Sequence, residues 1–223
     1  DFFDEYFGIK YPLPKSDHVA LPDFSSGAME NWGLITYREI TLLADPETTS
    51  ISTKHYIATV IAHELSHQWF GNLVTMKWWN NLWLNESFAT VMEYIAVDAL
   101  EPDWKVWLDF VSNESIMALR RDAIDGVQPV QVDVSHPDEI STLFDGAIVY
   151  AKGARLLRML REYIGDVAFR EGLKNYFLTH SYQNTEADDL WKALSKASGK
   201  DVGKFMTAWI SQPGYPVVNI SKD

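Results

Sequence analysis

The chain has 223 residues, 47% hydrophobic and 13% aromatic with nine Trp, which excludes a disordered or low-complexity polymer and supplies enough apolar material for a full core. A net charge of −12 and a pI near 4.9 exclude a general nucleic-acid or anionic-membrane surface, because phosphate binding needs clustered Lys and Arg. There is no cysteine, so disulfides and thiolate ligands are excluded, any metal must use His and carboxylates, and a reducing cytoplasm fits best.

At the start, Phe2, Phe3, Tyr6 and Phe7 form an apolar stripe at helical spacing. Residues 8–50 are rich in Gly, Pro and Ser and carry β-like runs at 18–21, 34–37 and 40–43. Helical periodicity then takes over, with helices predicted at 53–70, 85–100, 103–123, 147–164, 167–180, 186–198 and 203–211. The longest loop is expected at 128–139, and no stretch has the roughly 20 apolar residues that span a bilayer. The organisation is therefore α+β, with a β-rich part at 1–50 and a helical part at 51–211. Residues 212–223 read as an exit segment in which Val217, Val218 and Ile220 make a strand-like run. With no Met or signal peptide ahead of Asp1, the chain is expected to be a piece of a longer protein. Asn85, Asn113 and Asn219 open Asn-X-Ser triplets of a kind that arises often by chance.

The helix at 53–70 has an extensive apolar surface, which makes its polar members informative. His63 and His67 are four apart and so share one helix face, where both imidazoles can hold a single cation, and two such nitrogens suit zinc. Glu64 projects beside that cation rather than onto it, where a general base stands to take the proton of a water made acidic by zinc and pass it to a leaving amine. A catalytic zinc needs a third protein ligand and an open position, and Glu86, in the first turn of the next helix with Asn85 as its cap, is the candidate. Thr90 and Glu93 follow at helical spacing, either supporting the histidines or standing as solvated or core-edge residues. Trp78, Trp79 and Trp83 are read as core packing rather than a stacking box.

The His63-Glu64-Leu65-Ser66-His67 run, the 18-residue gap to Glu86, the Gln68-Trp69-Phe70-Gly71-Asn72 stretch and the Gly27-Ala28-Met29-Glu30-Asn31 segment together resemble the aminopeptidase N family of zinc metallopeptidases. The likeness runs through nearly the whole chain, to Ser211-Gln212-Pro213-Gly214-Tyr215-Pro216. It implies a thermolysin-like catalytic domain, a small mixed sheet beside a helical lobe with one zinc between them, held by His63, His67 and Glu86 with Glu64 as base. It further implies that Gly27, Ala28, Met29, Glu30 and Asn31 lie along the substrate as an edge strand, Glu30 binding the free α-amino group. On its own that segment reads only as a turn or strand edge. Tyr150, which in isolation reads as a core tyrosine, resembles the family's catalytic tyrosine, donating to the oxyanion of the tetrahedral intermediate.

The implied activity is removal of amino-terminal residues from peptides with a free amine, by a zinc enzyme with no nucleic-acid or membrane partner in this segment. Family members carry a β-rich domain before and a helical domain after this region, and those would be the partners within the parent chain. Without them, hydrolysis by this segment is expected to be weak. An endopeptidase, which has no need of a carboxylate at Glu30, and a catalytically silent binding module, which has no need of Glu64, are the competing expectations.

Overall fold

The computed structural model describes residues 1–222. A short amino-terminal helix, α1 (Phe2–Phe7), leads into strands β1 (Asp17–Leu21), β2 (Ala28–Met29) and β3 (Leu34–Arg38). These make one mixed sheet of order β1-β3-β2, with β1 parallel and β2 antiparallel to β3. Ile35 and Tyr37 alternate inward from the middle strand, as the two-residue period of a strand requires, and are fully buried. β2 is an edge, and it leaves the sheet at Glu30.

The expected run at 40–43 is not a strand. A short 3₁₀ turn (Glu39–Thr41) stands there with Ile40 and Leu43 exposed. The Thr41 hydroxyl donates to the carbonyls of Gly27 and Arg38, which ends the sheet by satisfying backbone acceptors from a side chain.

The helical part is built around α2 (Ile51–Ser66) and α3 (Trp83–Leu100). Ser50 caps α2 by accepting from the Thr53 N–H at 3.2 Å. α3 is apolar on nearly every side, the mark of a central helix, and α2 packs along it. Around α3 lie α4 (Val106–Asp109), α5 (Ile116–Asp122), α6 (Gly153–Ile164), α7 (Asp166–His180), α8 (Ala187–Ser198) and α9 (Val202–Ser211). Two further strands, β4 (Val74–Met76) and β5 (Gln183–Thr185), pair in parallel and tie the segment after α2 to the end of α7. Aromatic rings weld the two parts: Phe3 and Phe7 of α1 meet Trp69, and Phe7 also meets Phe70 and Phe177, while Phe70 stacks on Phe88 at 4.3 Å.

Several boundaries differ from the expected ones. The helix at 103–123 is instead a 3₁₀ turn (Pro102–Trp104), a break where Lys105 takes φ 53°, then α4, a π-helical stretch (Phe110–Ser115) and α5. The helix at 147–164 opens with a π-helical stretch (Gly146–Lys152) before α6. Apolar periodicity does not separate α from π winding over so few turns. The run at 217–220 forms no strand, and no neighbouring strand lies beside it among the described residues. No helix among the described residues is long and apolar enough to cross a membrane.

Candidate metal centre and cleft

A cleft of about 720 Å³ runs between β2 and the helices, and every residue singled out from the sequence as a ligand, base or catalytic tyrosine lines it. So do Gly27, Ala28, Met29 and Glu30. Asn31 lies just outside, where its side-chain amide bonds Thr36 and the Met29 carbonyl and so fixes the turn after β2.

The helix period brings His63 and His67 together. Their Nε2 atoms are 3.1 Å apart, and Glu86 Oε2 lies 3.4 Å from the first and 3.3 Å from the second. Two imidazole lone pairs at that separation repel unless a proton or a cation stands between them. For ligand bonds of about 2.0–2.1 Å, the edge of a tetrahedron is about 3.3–3.4 Å, so this triangle matches three corners of a four-coordinate zinc site. The donor set of two imidazoles and one carboxylate fits the same ion.

Both imidazoles have fixed tautomers. His63 Nδ1 faces Glu93 Oε2 at 2.7 Å, and His67 Nδ1 faces the Phe70 carbonyl at 2.9 Å, so each Nδ1–H is engaged and each Nε2 lone pair is left free to meet a cation. Glu93 thereby takes the supporting position that the sequence left open, whereas Thr90 donates only to the Glu86 carbonyl of its own helix. Electrostatics point the same way. Burial pulls both imidazoles down, yet the carboxylates of Glu86 and Glu93 carry His63 well above its usual range, and Glu86 and Glu30 carry His67 up to about 9. Burial would also raise Glu86, but the two histidines hold it far below an ordinary carboxylate. A field that draws protons onto buried imidazoles is one that a divalent cation would satisfy instead.

Glu64 stands beside the triangle, 6% exposed, with Oε2 buried and without a partner. Burial, opposed by the two histidines, pushes its carboxyl up to about 7, a poise suited to taking and returning a proton. Glu30 Oε1 is 3.9 Å from His67 Nδ1. Its backbone carbonyl accepts from Gln68 Nε2 at 3.1 Å and Asn72 Nδ2 at 2.8 Å, so the chain just past α2 clamps the end of β2 to that helix. Sequence reasoning gave these two amides no role, because both lie in the turn after α2, where no helical spacing marks a common side.

Tyr150 is half-buried on the π-helical stretch, its ring 6.1 Å from that of His63 and nearly parallel to it. Burial, then the charges of Glu86 and Glu30, raise its hydroxyl far above a free phenol, so it stays a donor. The stretch is seated by Ser87, whose hydroxyl donates to the Val149 carbonyl. Lys152, two residues on, is buried against Asp122 at 2.8 Å and donates to the Gln212 and Gly214 carbonyls, which fixes the far side of the same turn.

Two expectations need correction. Asn85 does not cap α3, which starts two residues earlier; it is buried inside the first turn, its Oδ1 unpartnered, so its Asn-X-Ser triplet is enclosed by the fold. Of the three tryptophans Trp83 is core, stacked on Trp191 at 5.2 Å, and Trp79 is partly buried against that core. Trp79 lines the cleft, and Trp78 is 47% exposed with its indole N–H on the Val134 carbonyl.

Residues 1–209 match the family model described as Peptidase family M1 domain. The chain is 64% identical over 218 residues to aminopeptidase N of Lactococcus lactis subsp. cremoris, covering 98% of this chain and 26% of that protein. It is 52% identical over 219 residues to aminopeptidase M1 of Arabidopsis thaliana, covering 98% and 25%. To the tricorn protease-interacting factor F2 of Thermoplasma volcanium it is 51% identical over 223 residues, covering 100% and 28%. The chain thus spans about a quarter of the length of these curated relatives. With the family model matched over nearly its whole length and the ligand triangle in place, the chain belongs to peptidase family M1.

Proposed function

We propose that this chain is the catalytic segment of a zinc aminopeptidase that hydrolyses the first peptide bond of peptides bearing a free amine. One observation carries the reading: a triangle of two Nε2 atoms and one carboxylate oxygen, an unpartnered buried carboxylate beside it, and a second carboxylate on the edge strand all open into one cleft. The names of the relatives, aminopeptidases from a bacterium and a plant, support it.

His63, His67 and Glu86 would hold the ion, which when bound supplies Lewis acidity at the scissile carbonyl. Glu64 accepts a proton from the attacking water and delivers it to the departing nitrogen, which its rise to about 7 suits at neutral pH. Tyr150 donates its hydroxyl proton as a hydrogen bond to the oxygen that gains charge. Glu30 pairs with the substrate ammonium, and the Gln68 and Asn72 amides on its carbonyl keep that pairing at a fixed distance from the reacting bond.

The test compares a free-amine peptide with its N-acetylated form, in wild type and in Glu30→Gln. Hydrolysis confined to the free peptide, with a raised KM and a lower kcat in the variant, is the expected result. Equal cleavage of both peptides by the wild type would mean an endopeptidase.

A further inference from the structure

Among the described residues the cleft is lined by five carboxylates, those of Glu30, Glu64, Glu86, Glu93 and Glu114, and by no Lys or Arg. Four have partners in the proposed chemistry. Glu86 and Glu93 face the metal and its histidine, Glu64 carries the transferred proton, and Glu30 meets the substrate ammonium. Glu114 has none: among the described residues its side chain makes no hydrogen bond and no ion pair, although it is half-buried. Burial alone raises its carboxyl, with no cation near enough to pull it back. A half-buried carboxyl without a protein partner, on the wall of a peptide cleft, is placed to meet a cationic group that enters the cleft.

Its place in the cleft says which part of a peptide that is. Glu30 lies on the His67 side of the ligand triangle, while Glu93 lies on the His63 side at 2.7 Å. Glu114 is coupled electrostatically to Glu93 and Tyr94, and so belongs to the His63 end, away from the amine-binding carboxylate. With the amine held at Glu30 and the scissile bond at the metal, that end receives the residues beyond the bond. Tyr94, close enough to feel the Glu114 charge, and Met117, three residues on, line the same cleft and offer apolar bodies against which the methylenes of a long side chain can lie.

We propose that Glu114 is a specificity residue that selects peptides carrying Lys or Arg at the second or third position, on the leaving side of the scissile bond. This rests on the aminopeptidase reading above. The π-helical stretch that carries Glu114 (Phe110–Ser115) sets its direction into the cleft, the kind of local rewinding that re-aims a side chain at a site.

The experiment uses the zinc-loaded protein and matched peptides with one N-terminal residue, bearing Lys, norleucine or Glu at the second or the third position. Norleucine keeps the methylenes and removes the charge. Wild type should favour Lys over norleucine by about tenfold in kcat/KM at one of the two positions, and Glu114→Gln should bring that ratio near one while leaving the norleucine peptide unchanged. Raising the salt concentration should shrink the ratio in the wild type only. Calorimetric binding of the same peptides to Glu64→Gln and to the Glu64→Gln, Glu114→Gln double variant separates the two readings. A Lys preference in binding that vanishes with Glu114, without cleavage by any form bearing Glu64, keeps the specificity reading and removes the catalytic one. Cleavage with a Lys-to-norleucine ratio unaltered by Glu114→Gln at both positions overturns the role given to Glu114.

Discussion

His63 and Glu86 stand on α2 and α3, and His67 is the residue that closes α2, its N–H still bonded to the His63 carbonyl, so their convergence follows from spacing along one helical turn and one helix–helix contact. Glu30 and Tyr150, which also line the cleft, stand on backbone that is not regular: the end of a two-residue strand and a π-helical turn. Their positions depend on bonds from distant elements, Gln68 and Asn72 for the first, Ser87 for the second. Damage to the helical ligands should therefore cost the metal, and damage to the walls should cost rate or recognition while the metal stays.

The largest effect is expected at the ligands. His67→Ala should lose zinc altogether by elemental analysis and with it all turnover, because no spare donor lies within the triangle. Stoichiometric, tightly held zinc in that variant would falsify the ligand set. Glu64→Gln isolates chemistry from coordination: zinc and melting temperature should persist while kcat falls by about 10²–10⁴. A near-normal rate there removes Glu64 as the base.

On the walls, Tyr150→Phe keeps the ring and removes one donor. A fall of about 10²–10³ in kcat with KM and zinc content unchanged is the expected outcome, since the hydroxyl meets charge that exists only in the transition state. Normal kcat with lowered stability would instead return Tyr150 to the core.

The same contrast explains what could be read from the sequence. The convergence of His63, His67 and Glu86 was legible because a four-residue spacing and a first-turn carboxylate are statements about one helix at a time. The helical lobe was legible for the same reason, apart from the breaks at Lys105 and the two π-helical stretches, whose apolar pattern imitates a helix. Glu30 and Tyr150 became candidates only through resemblance, because nothing within five residues of either one marks the partners that hold it. β4 and β5 were missed because three-residue strands, paired across more than a hundred positions, leave no alternating pattern long enough to detect. Glu114 was missed inside a segment that read as an ordinary helix.

The smallest effect tests the hinge of the comparison, where a regular helix and an irregular wall touch. A Cβ built on Gly153 would stand 2.0 Å from Ser87 Oγ and 2.6 Å from Ser87 Cβ, far inside contact, so the close approach of α6 and α3 requires glycine. Ser87 follows Glu86 directly, and its hydroxyl holds the Val149 carbonyl next to Tyr150. Gly153→Ala must push Ser87 aside and break that bond, an overpacking cost of about 1–3 kcal/mol that should lower the melting temperature by several degrees. If metal and wall are positioned separately, zinc content stays at one while kcat drops by less than in Tyr150→Phe, because Tyr150 shifts but keeps its hydroxyl. Transferring the space by Ser87→Gly in the Gly153→Ala background removes the clashing side chain and should recover stability, yet not the lost hydrogen bond, so kcat should recover less than the melting temperature does. Loss of zinc in Gly153→Ala would show instead that the wall and the ligand helix move as one body.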